Sequence, residues 1–128
     1  MQIRCGVDII EIDRVGRAYS RHPEAFLRRL FSAKERTGLG VRKFGDRHLA
    51  ARFAAKEAVF KLLGVGMGEV DWVDVEVLSN PGGEPRVRLK GRAKERADFL
   101  GIKSIALSLS HCKQYAVAQA VALAKKLH

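Results

Sequence analysis

"RFAAKEAVFKLLG", residues 52–64, reads as a helix that ends at Gly64. Within it Glu57 sits among Ala54, Ala55, Ala58, Val59 and Phe60, with Lys56 beside it and Lys61 one turn on. Leu49, Phe53, Glu57 and Phe60 follow one another at spacings of four, four and three, so they form one stripe of a 3.6-residue period. The stripe is expected to pack against a sheet, with Glu57 where it meets a cleft. An unpaired buried carboxylate costs several kcal/mol. Glu57 therefore needs a cation, needs a proton, or lies at a cleft edge. A plain salt bridge to Lys61 at i+4 is the simplest alternative, worth a few tenths of a kcal/mol.

Working outward from this helix, its start falls near Asp46, giving a segment over 45–63. On the N-terminal side, "IRCGVDIIEI" (3–12) alternates as a strand does, with Ile3, Cys5, Val7 and Ile9 on one face and Arg4, Gly6, Asp8 and Ile10 on the other. Residues 13–30 read as two short helices, the second opened by Pro23, and "SAKE" (32–35) has the form of a capping box. On the C-terminal side, "WVDVEVLS" (72–79) and "RVRLK" (86–90) alternate around the turn-rich "NPGGEP" (80–85), a hairpin pattern. "GRAKERADFLG" (91–101) is helical with Gly101 as its C-cap, and "SIALSLS" (104–110) and "YAVAQAVALA" (115–124) are two further strands. The expected fold is α+β: a single domain over 1–128 with a mostly antiparallel sheet and helices packed on one side. The small apolar face of 115–124 is open to two readings, core or subunit interface.

The 128 residues are 47% apolar and 30% charged, which argues against intrinsic disorder. No apolar run nears the roughly 20 residues of a membrane span, and "MQIRCGVDII" lacks the pattern of a secretory signal, so the expected location is cytoplasmic. Two cysteines, Cys5 and Cys112, read as thiols and not as a disulfide framework or zinc site. The formal net charge of +10 calls for an anionic partner. From Arg14 to Arg47 there are ten Arg or Lys against Glu24, Glu35 and Asp46, either a solvated surface or a docking surface.

Several positions carry chemistry. Asp8 interrupts a β-branched strand, which strands disfavour, so it lies at an exposed edge or has a role. Asp8 and Glu57 could converge, and one or two carboxylates with phosphate oxygens and waters are a usual Mg²⁺ arrangement. Arg52, Lys56 and Lys61 share the helix with Glu57, and "GVGMG" (64–68) would let backbone approach an anion, or is simply a helix-exit loop. It is neither a Rossmann fingerprint nor a P-loop. "SLSH" (108–111) suits either a phosphate or turn capping by Ser110, and no nucleophile elbow is present. A basic nucleic-acid-binding module competes as a reading, but the few aromatics do not interleave with the basic stretch. A purely structural oligomeric domain would leave Asp8 and Glu57 unexplained.

In order, "GVDIIEIDRV" (6–15), "RFAAKEAVFKLLG" (52–64), "GEPRVRL" (83–89) and "SLSHCKQYAVAQAV" (108–121) closely resemble the holo-acyl-carrier-protein synthases, the small bacterial 4′-phosphopantetheinyl transferases. The resemblance implies transfer of phosphopantetheine from coenzyme A to a serine of an acidic apo acyl carrier protein, with Mg²⁺ as cofactor and release of 3′,5′-ADP, in the service of fatty acid biosynthesis. It also implies a homotrimer with active sites between subunits, and no nucleic-acid partner. By resemblance Asp8 and Glu57 hold the metal and Lys61 lies at the pyrophosphate, these three being the catalytic set. Arg52, Lys56, Lys61, Gly64, Gly66 and His111 would contact coenzyme A, with His111 serving a neighbouring subunit. Arg14, Arg21, Phe26 and Arg29 would bind the carrier. Cys112 receives no role.

Overall fold

The computed structural model describes residues 1–39, 46–66 and 68–126. Arg42 and Lys43 of the basic stretch and Met67 of the glycine loop lie outside them. The chain runs β1 (Gln2–Glu11), α1 (Ile12–Arg21), α2 (Pro23–Leu30), α3 (Ala33–Leu39) and α4 (Asp46–Leu63). A 3-10 turn (Trp72–Asp74), β2 (Val75–Ser79), β3 (Pro85–Leu89), α5 (Gly91–Leu100), β4 (Ala106–His111) and β5 (Tyr115–Ala124) follow. The fold is α+β, and its strands form two antiparallel sheets: β1-β5-β4 and the β2-β3 hairpin. The expected strand over 72–79 begins only at Val75, because Trp72–Asp74 coil into the 3-10 turn.

Local chemistry sets the element ends. Pro23 opens α2 at a position where its missing N–H costs nothing. Ser32 and Glu35 form the reciprocal capping box: Glu35 N donates to Ser32 Oγ at 3.1 Å and Ser32 N donates to Glu35 Oε1 at 3.0 Å. Helix α4 closes in a Schellman arrangement, with Gly64 at φ 70°, Gly64 N donating to Lys61 O and Val65 N to Phe60 O. Two arginines cover its last carbonyls, Arg4 Nε on Leu62 O and Arg96 Nε on Leu63 O.

Helix α4 lies across one face of the three-stranded sheet. Alternate residues of β5 from Ala116 to Ala124 are alanines turned toward it, and all are buried. Small residues on both sides bring backbone close to backbone. The closest approach is at Gly6 of β1, where an added Cβ would stand 2.0 Å from Ala58 O. The alanines of 115–124 therefore belong to the core. The opposite face of the same sheet carries Ile3, Val7, Ile9 and Leu123, each more than half exposed in the single chain. No helix among the described residues is long and apolar enough to cross a membrane.

Candidate active site

The site begins with the crossing of β1 over α4. Since Gly6 has no side chain, the strand can lie on the helix backbone at Ala58 and Leu62. Two residues on, Asp8 points from the same face of the strand toward the same helix. It meets Lys61: Nζ donates to Asp8 Oδ1 at 3.2 Å and to Val7 O at 3.0 Å. The Gly-x-Asp spacing thus has a mechanical reason, since the glycine makes the contact and the aspartate uses it.

Glu57 is one turn before Lys61, yet the lysine pairs with Asp8 across elements. The simple i+4 pair is not formed. Burial pushes the Glu57 carboxyl above the usual glutamate range, the nearby charge of Asp8 pushes it further, and Lys61 acts in the opposite sense. Asp8 is 15% exposed and Lys61 54%, so this ion pair sits at a rim and is weak enough for the lysine to turn to another anion. Beside it a cleft of about 150 Å³ is lined by Glu57, Phe60, Lys61, Val65, Gly66, Val70 and Trp72. Gly66 is in the wall, and its N–H donates to Glu69 Oε1 at 3.1 Å. Gly64 is the helix cap immediately before it.

Of the stripe, Leu49 is buried in one cluster with Ala116 of β5 and Phe60 packs against the core that holds the other β5 alanines, but Phe53 and Phe60 also turn to Trp72. Phe53 stacks on Trp72 with centroids 5.2 Å apart at 28°, and Phe60 meets the same indole edge-on at 4.9 Å and 85°. Most of the packing on the sheet comes from the alanines, Val59 and Leu62 of the helix. Glu57, between the two phenylalanines in sequence, consequently borders the cleft. Trp72 heads the alternating run 72–79, whose period predicts a strand and hides its place in the cleft wall. Its being the sole tryptophan, near the two phenylalanines flanking Glu57, was the available signal.

Lys56 corrects the expectation of a coenzyme A contact. Its side chain is wholly buried, with Nζ 2.6 Å from Glu35 Oε1 and 2.6 Å from Val75 O, above the ring of Phe31. Burial is the largest influence and lowers its pKa, while Glu35 and Glu76 oppose that. A group so enclosed has no face left for a ligand; it ties α4 to α3 and β2. Glu35 is the other half of this tie, since its Oε2 also accepts from Val77 N at 3.0 Å. The capping motif disclosed Glu35 as a cap, but nothing local in sequence discloses a partner 21 residues away.

Arg52 lies outside the cleft lining, with Nη1 donating to Val77 O and Nη2 to Ser79 Oγ, both at 2.7 Å. His111 ends the edge strand β4, exposed and two strands across from β1. It does not line the cleft of its own chain. Trp72 also borders an apolar groove of about 380 Å³ between α1, α2 and α4, and Phe26 and Arg29 line it. Tyr19 supports Phe26 edge-on at 5.9 Å. Arg14 and Arg21 are exposed on α1, Arg21 beside Arg17 in a neighbouring depression.

Among the described residues no cluster of three or more His, Cys, Asp or Glu side chains gathers to hold a metal by itself. Asp8 lies near enough to Glu57, which lines the cleft, for its charge to raise the Glu57 pKa.

Residues 4–120 match the model of the 4′-phosphopantetheinyl transferase superfamily. The holo-[acyl-carrier-protein] synthase of Moorella thermoacetica is 47% identical over 119 residues, covering 93% of this chain and 92% of that protein. Among solved structures, the Helicobacter pylori holo-[acyl-carrier-protein] synthase in complex with coenzyme A superposes with a TM-score of 0.80 at 32% identity, covering 93% of this chain and 99% of that one. The Bacillus anthracis holo-(acyl-carrier-protein) synthase in complex with CoA (3′,5′-ADP) gives 0.76 at 32% identity, covering 95% and 96%.

Proposed function

The chain belongs to the 4′-phosphopantetheinyl transferase superfamily, as a holo-[acyl-carrier-protein] synthase, and from that membership we propose that the cleft beside Asp8, Glu57 and Lys61 binds the pyrophosphate of coenzyme A. The enzyme is a transferase of phosphopantetheine. In our reading the acceptor is a serine of an acidic apo acyl carrier protein, Mg²⁺ is required, and 3′,5′-ADP leaves. The observation that carries the reading is the convergence of two carboxylates and one rim lysine from β1 and α4 at the mouth of a cleft.

The donor set fits a hard divalent cation. The charge of Asp8 raises the pKa of Glu57, and Lys61, which pairs with Asp8, is half exposed. Two such carboxylates supply two oxygen ligands and leave the rest to phosphate oxygens and water, as Mg²⁺ takes them. Asp8 and Glu57 would hold it, and when bound it neutralises charge on the pyrophosphate. The serine oxygen forms a bond to the β-phosphorus as the bond from that phosphorus to the bridging oxygen breaks. Lys61, free to swing from Asp8, meets the charge that grows on the departing phosphate oxygen. Glu57, as a carboxylate beside the metal position, would orient the water that takes the serine proton.

The groove lined by Phe26, Arg29 and Phe53 is the carrier's docking surface in this reading, with Arg14 and Arg21 at its approach. An apolar floor rimmed by arginine suits a helix of an acidic partner, and rim charges of this kind mainly raise the association rate. The exposed apolar face at Ile3, Val7, Ile9 and Leu123 supports a homotrimer, in which that face is covered and His111 of one subunit can serve its neighbour's coenzyme A. Incubation with coenzyme A, Mg²⁺ and an apo carrier tests the function: the carrier should gain the mass of one phosphopantetheine. An unchanged carrier, in conditions where a competent synthase modifies it, would refute the assignment.

A further inference from the structure

Among the described residues, Trp72 is the one side chain that lines both cavities. It borders the apolar groove together with Ala18, Phe26 and Arg29, and the cleft together with Glu57, Phe60 and Lys61. Its two aromatic partners divide in the same way. Phe53, stacked on the indole, belongs to the groove, and Phe60, set edge-on against it, belongs to the cleft. Both phenylalanines are on α4, four residues before Glu57 and three after it. The indole itself is half-buried and is carried by a turn of only three residues between the glycine loop and β2.

We propose that Trp72 is a positioning residue that couples the two substrates, so that a carrier in the groove and coenzyme A in the cleft each strengthen the other's binding. This rests on the transferase reading above. A ligand pressed against one side of the indole fixes the ring and therefore fixes the wall that the second ligand meets. The ordering cost is then met by the first ligand and is absent for the second. The coupling must be reciprocal, because it is a single free energy shared by two sites.

The test uses a carrier whose acceptor serine is replaced by alanine, so that both substrates bind without turnover. The Kd of coenzyme A with Mg²⁺ is measured by calorimetry with and without that carrier. In the native enzyme the carrier should tighten coenzyme A about 5-fold or more, and coenzyme A should tighten the carrier by the same factor. Trp72→Phe should keep most of the coupling. Trp72→Ala should reduce it below about 2-fold; the factor is the ratio of Kd values with and without the partner, so a uniform weakening of either substrate by the lost wall does not change it. Trp72 is the only tryptophan, so its emission in the unmodified enzyme should shift on adding either substrate alone, which needs no variant to fold. Absence of coupling in the native enzyme, unchanged coupling in Trp72→Ala, or emission silent to either substrate overturns the proposal. If the native enzyme modifies the native carrier while any of these holds, only the role of Trp72 fails. If it leaves the native carrier unmodified, the transferase reading itself fails.

Discussion

Glu57 shows how a residue can be poor for the fold and good for the site. Its carboxyl is held above the ordinary range by burial first and by Asp8 second. A carboxyl whose folded pKa is raised favours the protonated folded state. Its contribution to stability is therefore full at low pH and is lost as pH rises through that pKa. Without metal or coenzyme A, Glu57→Gln should melt at a higher temperature than the native protein at pH 7, and the gain should vanish near pH 4. Equal melting temperatures at pH 7 would mean that Glu57 is not strained by its surroundings. Lys56, its neighbour in sequence, has the opposite character. Removing one partner of a buried ion pair costs about 3–5 kcal/mol, so Lys56→Ala should lose about that much in urea unfolding. Adding Glu35→Gln should recover part of it. A Lys56→Ala protein of native stability with a raised KM for coenzyme A would instead restore Lys56 as a ligand of the substrate.

At the scale of elements, the crossing of β1 on α4 makes the site. An added methyl at Gly6 would meet the backbone of Ala58 and Leu62, not the movable end of a side chain. Overpacking of this kind costs about 1–3 kcal/mol. Gly6→Ala should show that loss and should also lower kcat about 10-fold or more, because the strand that carries Asp8 is pushed away from Lys61. A variant with native kcat would show that the crossing does not govern the site. Much at this level was legible in sequence. Period-2 alternation marked β1 and β5, Pro23 split α1 from α2, and glycines ended α4 and α5. Asp8 and Glu57 were legible because each offends a local preference. The stripe through Phe53 and Phe60 has the helical period that the sequence shows, but its aromatic partner is Trp72, which the period does not reveal. Alanines can pack a sheet as closely as larger residues, and a helix apolar on most sides does not declare which side faces what. The tie from Lys56 to Glu35 was illegible because it joins elements far apart in sequence.

The whole molecule presents two surfaces of different kinds. The outer face of the three-stranded sheet is apolar through Ile3, Val7, Ile9 and Leu123, and exposed patches of that sort commonly mark interfaces. The helical side carries the arginines of α1 and α2. If the sheet face joins subunits, light scattering should give three times the 14.2 kDa of one chain, and Ile9→Glu should yield smaller species with lost activity. A native protein that stays at 14.2 kDa and is active would remove the trimer. Cys5 and Cys112 are both free and exposed in the single chain, and Cys5 lies on that same apolar face. The measurement that bears most directly on the account is the rate of phosphopantetheine transfer to an apo carrier, followed by mass, across a Mg²⁺ titration. The native enzyme should require the metal, and Asp8→Ala and Glu57→Gln should each lose on the order of 100-fold or more in rate at saturating substrate. Transfer at native rates by both variants, or by the native enzyme in excess chelator, would contradict it.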